Sequence, residues 1–175
     1  TAQVSGRLTQ PAIAFSAAAP QLKVGMLQHL GATTQGSLEG TQLAFQSAIT
    51  LPRNTTLFAK GILELGGKEP QLTLDAYADP VPAAAIPAML DSEVPVSGNL
   101  KTELHLSGAP DSLNGSLSVN GDDLTLYEEW LGHLDLNLRM TGKGIRSTHF
   151  NLIRSALQPD ADRIEGTLSY DLESD

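Results

Sequence analysis

Asn99-Leu100-Lys101-Thr102-Glu103-Leu104-His105-Leu106-Ser107 puts Leu100, Leu104 and Leu106 on alternate positions, with Asn99, Lys101, Glu103, His105 and Ser107 between them. A period of two is the signature of a strand with one dry and one wet face. Gly108-Ala109-Pro110-Asp111 then supplies turn chemistry, through a permissive glycine, a fixed-φ proline and an aspartate able to bond its own backbone. Alternation resumes with Leu113, Gly115, Leu117 and Val119 set against Ser112, Asn114, Ser116 and Ser118. Asn120-Gly121 tolerates positive φ and is expected to close that run, with Leu124 and Leu126 opening the next. Trp130 and Gly132 interrupt, and then Leu134, Leu136, Leu138 and Met140 alternate with His133, Asp135, Asn137 and Arg139. The pattern predicts an antiparallel meander, aliphatic on one side and polar on the other. What covers the aliphatic side is the question on which function turns.

Working toward the N-terminus, the same rhythm runs through Val4, Ile13, Phe15 and Ala17, and a short strand is expected at Leu22 and Val24 after Pro20. Met26, Leu27 and Leu30 are spaced more like a helical turn, so a short helix or irregular crossing is expected between Gly25 and Ala32. Strands follow through Leu43, Phe45, Ile49 and Leu51, through Leu57 to Leu65, and through Leu72 to Ala78. Asp79 to Asp91 breaks the pattern. Pro80, Pro82 and Pro87 limit any helix there to one or two turns, with Asp79 as a candidate cap. This is the expected joint between a segment 1–90 with short crossings and a meander 91–175, the two forming one continuous sheet. Toward the C-terminus, Thr141 to Gly144 is a turn, Phe150 and Leu152 mark a strand, and Ser155 to Asp162 reads as a loop. Ile164, Gly166, Leu168, Tyr170 and Leu172 make the last alternating run.

A glycine two residues before a leucine recurs at Gly6, Gly36, Gly61, Gly98, Gly115, Gly132 and Gly166. Both residues fall on the inward parity, where a missing side chain lets a sheet bend or lets something approach its backbone. The chain therefore reads as a degenerate β-repeat array.

The 175 residues carry 11 Lys and Arg against 20 Asp and Glu, a formal charge of −9. That balance argues against nucleic acid, which demands clustered cations, and against charge-driven adhesion to an anionic membrane. No cysteine is present, which removes disulfides, thiolate metal sites and a cysteine nucleophile. No apolar run reaches the ~18–20 residues of a membrane helix. Alternation is already under way at Val4, which reads as a piece of a longer protein with any targeting segment outside it.

Catalytic patterns are weak. His105 with Glu103, and His133 with Asp135, share strand faces and could each be a base with its orienting carboxylate or half a metal site. Their place on the polar side reads as solvated charge instead. Neither a G-x-S-x-G elbow nor a phosphate-cradling glycine loop occurs. Asp160, Asp162 and Glu165 read as an acidic turn rather than a calcium loop, and Trp130 as a core plug. No cofactor is expected, and the chain does not read as an enzyme.

Two readings of the aliphatic side remain. In a closed β-sandwich, a second sheet about 10 Å away covers it and leucine is core filler. In an open, curled sheet, the leucines line a groove suited to acyl chains, which ask for dry surface and no directional partners. Periodicity and spacing by themselves favour the sandwich.

The segments Ser97-Gly98-Asn99-Leu100, Leu106-Ser107-Gly108, Ala109-Pro110-Asp111, Leu113 to Val119, Leu124-Thr125-Leu126-Tyr127 and Ile164 to Leu172 resemble the TamB group of AsmA-like proteins. The resemblance covers the C-terminal half, and the N-terminal half shares only the strand rhythm. It implies an all-β, U-shaped (taco-like) antiparallel array with an aliphatic interior groove. It further implies a periplasmic segment of an inner-membrane-anchored protein of a diderm bacterium, concerned with phospholipid transfer and outer-membrane assembly. Its implied partners are phospholipid acyl chains and, through the full-length protein, a TamA-like outer-membrane barrel. The groove lining implied is Leu100, Leu104, Leu106, Leu113, Leu117, Val119, Leu124, Leu126, Leu134, Leu136, Leu138, Met140, Phe150, Leu152, Ile164, Leu168, Tyr170 and Leu172.

Overall fold

In the computed structural model, residues 2–7, 10–25, 27–142, 144–154 and 162–171 are described. Their strands are β1 (Ala2–Arg7), β2 (Gln10–Val24), β3 (Leu27–Glu39), β4 (Gln42–Leu51), β5 (Thr55–Glu64), β6 (Gln71–Pro82), β7 (Val96–Gly108), β8 (Asn114–Leu126), β9 (Glu129–Thr141), β10 (Gly144–Ile153), β11 (Arg163–Glu165) and β12 (Ser169–Asp171). All belong to one antiparallel sheet whose spatial order follows the chain from β1 to β11, with β12 also on β10. β1 and β11 stand at opposite ends of that path, so the sheet is open. No second sheet faces it among the described residues, which removes the closed sandwich. Strand order runs without a break through β6 and β7.

Register explains why the period-two reading succeeds. Directly opposed residues of neighbouring strands point to the same side, and the inward-parity residues oppose one another from strand to strand. One row reads Ala76, Leu104, Leu117 and Leu138 across β6 to β9. Another reads Phe15, Gly36, Phe45, Gly61, Leu74, Leu106, Gly115 and Met140 across β2 to β9. A single apolar face thus spans both segments expected from the sequence.

Two of the recurring glycines, Gly36 and Gly61, seat their neighbours' side chains. A Cβ on Gly36 would meet the Phe15 ring at 2.8 Å, and one on Gly61 would meet the Phe45 ring at 2.5 Å. The rings lie over the gaps that the glycines leave, so large and small residues alternate across the strands.

Several connections differ from expectation. Residues 27–32 belong to β3 and not to a helix, because Leu30 is recruited into the apolar face opposite Leu22. β2 runs through Pro20, which sits at a break in register between Ala19 and Leu22. Such breaks are where proline is tolerated in a sheet. Asn120-Gly121 is not a turn. Gly121 remains in β8 under the side chains of Leu100 and Leu124, and the excess chain is absorbed by a bulge where Asp123 has φ of 51°. The hairpin turns instead at Tyr127 and Glu128, both with positive φ (50° and 68°), as a two-residue turn of the primed kind requires. Residues 155–161 of the loop expected from Ser155 to Asp162, and residues 172–175, including Leu172, lie outside the described residues.

The break at Asp79 is smaller than expected. β6 continues to Pro82, and the helix is one short turn, α1 (Ala85–Met89), preceded by Ala84 rather than capped by Asp79. It lies against β3 and the 3-10 turn Pro52–Asn54. Ala83 and Ala85 join Leu30, Leu51, Ala78, Val81, Leu100 and Leu124 in one buried cluster. The core of the described protein therefore sits at one end of the apolar face, under α1.

Candidate apolar face

Beyond α1, the apolar face has no roof among the described residues. Leu104, Leu106, Leu117, Leu136, Leu138, Met140, Phe150 and Leu152 are half-buried, and Val119 and Leu134, also half-buried, pack against the edge of the buried cluster. Register groups them into parallel ranks: Thr102, Val119, Leu136 and Phe150 in one, and Leu100, Gly121, Leu134, Leu152 and Ile164 in another. Leu100 and Leu124 differ from the rest in being only 5% and 6% exposed, inside the α1 cluster. Leu126 opposes Val96, which packs on the same cluster. Leu113 lies in the connection between β7 and β8. Ile164 on β11, Tyr170 on β12 and Leu168 in the connection between them stand strongly exposed. There the backbone N–H of Ser147 donates to Leu168 O and that of Gly166 to Phe150 O, tying residues 166–168 to β10.

The N-terminal part of this face is thinner. Its central row is Ala17, Thr34, Ser47 and Ala59, and Thr34 Oγ1 and Ser47 Oγ share a 2.9 Å hydrogen bond. The large aliphatic side chains of this face are concentrated on β7 to β10.

The polar face carries the histidines, but not in the expected pairs. His105 Nδ1 donates to Asp75 Oδ1 at 2.7 Å across β6 and β7, and His133 Nδ1 donates to Asp122 Oδ1 at 2.7 Å. Asp135, expected beside His133, instead lies 3.5 Å from His149. Strand neighbours two residues apart diverge more than partners on adjacent strands, and sequence alone does not give register. The His105 hydrogen bond holds the Asp75 carboxyl below the ordinary carboxylate range, with smaller help from the charges of His105 and Lys60 and opposition from desolvation. No cluster of three or more metal-ligating side chains occurs among the described residues. Trp130 is 47% exposed on β9 and is no core plug.

Sequence reasoning missed the aromatic pair on the polar face. Phe58 and Tyr77 oppose each other across β5 and β6, with ring centroids 5.6 Å apart and planes at 29°. Their parity among Lys60, Asp75 and Thr73 was the available signal. No family model matches the chain, and no curated protein or solved structure matches it.

Proposed function

We propose that this chain is a lipid-carrying segment of a periplasm-spanning, inner-membrane-anchored protein of the TamB/AsmA-like kind, and that its apolar face holds phospholipid acyl chains. The observation that carries this reading is the set of leucine ranks over β7 to β10, half-buried with no second layer over them among the described residues. Monomeric soluble proteins rarely expose contiguous apolar surface larger than a few hundred Å² unless something binds there. Acyl chains suit such a surface because no buried polar partner is needed. In the full-length protein the groove would curl around the chains and lead toward a TamA-like barrel. The test is native mass spectrometry of the purified protein with co-purifying phospholipid, repeated on Leu136→Asp and Leu106→Asp. The proposal expects loss of the lipid adducts with strand content retained, whereas unfolding like a core lesion would remove its support.

A second reading is favoured by one observation. The last strands and the connection between them present Ile164, Leu168 and Tyr170 strongly exposed at the end of an open sheet. Such an edge can add a partner's strand through main-chain hydrogen bonds, as in assembly of an outer-membrane protein.

A further inference from the structure

The polar face carries two hollows that meet at Tyr77, and we propose that they form a binding path for a linear, uncharged oligosaccharide. One hollow, of about 820 Å³, extends over β2 to β6, and the other, of about 790 Å³, extends over β5 to β10. Both volumes fall in the range of small-molecule sites. Phe58 and Tyr77, 46% and 57% exposed, form the ridge between them, and their stacking on each other leaves ring surface facing solvent. Ala48, opposite Phe58, gives a low floor beside that ridge.

The lining selects among ligand classes. Thr33, Gln35 and Gln46 contribute hydroxyl and amide groups that make no side-chain hydrogen bond to the described residues. Lys60, the single cation of the first hollow, stands 4.0 Å from Asp75. In the second hollow two carboxylates, Asp75 (bonded to His105) and Glu103 (3.3 Å from Lys101), equal in number the two cations Lys60 and Arg139. A charge-balanced lining offers no advantage to phosphate, carboxylate or nucleic acid, which need uncompensated cations. An acyl chain would have to desolvate free amides and hydroxyls without bonding them. A sugar ring presents C–H groups to an aromatic face and hydroxyls to amides, matching both features. Two hollows in line across the strands suit a chain of sugars better than a single ring.

The test is isothermal titration of the purified protein with cellotetraose and with chitotetraose. At least one is expected to bind, with affinity falling about tenfold in Tyr77→Ala, a loss of the size that stacking on one ring supplies. Gln46→Ala changes only an exposed side chain and should weaken binding about threefold. Saturation transfer from the Tyr77 ring to sugar protons in the unaltered protein decides the matter should Tyr77→Ala fail to fold. Absence of binding by both sugars overturns the proposal, as does unchanged affinity in folded Tyr77→Ala. Uptake of lauric acid that depends on Tyr77, with no sugar bound, also overturns it. Lipid adducts on the opposite face should be untouched by Tyr77→Ala, so the acyl-chain reading stands or falls separately.

Discussion

Leu100 and Leu136 are the same residue type on the same face of the same sheet, yet one is core and the other is not. Leu100 lies under α1 with Val81, Ala85 and Leu124, and is 5% exposed. Leu136 lies in the next rank, between Val119 and Phe150, outside the buried cluster, and it is half-buried. Strand periodicity assigns both to the dry side and is blind to the difference. The roof is supplied by a short break between β6 and β7, where prolines end the strand and Ala83 and Ala85 are small enough to settle on the aliphatic surface. Where the chain provides such a cover, leucines act as core. Where it does not, they remain available to another molecule.

The sharpest way to break this comparison is by truncation under the roof. Leu100→Ala removes a fully packed side chain and should cost about 3 kcal/mol, read as a lowered urea midpoint with unchanged slope. Next is the glycine-seated part of the open face. Gly61→Ala puts a Cβ 2.5 Å from the Phe45 ring and 2.9 Å from Thr73 O. It should cost about 2 kcal/mol, partly restored by adding Phe45→Leu, since the ring can be withdrawn and the carbonyl cannot. Smaller again is Leu136→Ala, expected to cost about 1 kcal/mol because the side chain is already partly in water. A loss as large as that of Leu100→Ala would erase the distinction between the two regions.

The smallest effect is on the polar face. Asp75 has its pKa lowered in the folded protein, so its bond to His105 stabilises fully above the unfolded value near 3.8, and that contribution is lost as pH falls through the lowered folded value. The exposed pair should therefore give a shallow acid-side decline in melting temperature below about pH 4, and Asp75→Asn should flatten it. A decline of equal slope in the variant would assign the acid sensitivity elsewhere.

The two faces were legible in the sequence to different depths. Parity alone put Leu104, Leu117 and Leu138 on one side, because a strand allows no other arrangement. The inward glycines were also readable as places of close approach, although not that Phe15 and Phe45 would be what approaches. Turn positions were less accessible. Asn120-Gly121 has strong turn chemistry, but a bulge at Asp122 and Asp123 lets β8 run on to Leu126. The histidine partners and the Phe58–Tyr77 stack depend on register between strands, which residue types along one strand do not encode. The site's extent is set by α1, whose packing on distant β3 no local pattern reports.

The most direct test places a photo-crosslinking benzophenone side chain at Leu117, Leu124 or Ser118 in turn and illuminates the protein in the presence of phospholipid. These positions sample the open rank, the roofed cluster and the polar face. Adducts to acyl carbons at 117, with little at 124 or 118, are the result expected. Equal labelling at all three, or none at 117, would contradict an open aliphatic face that holds lipid.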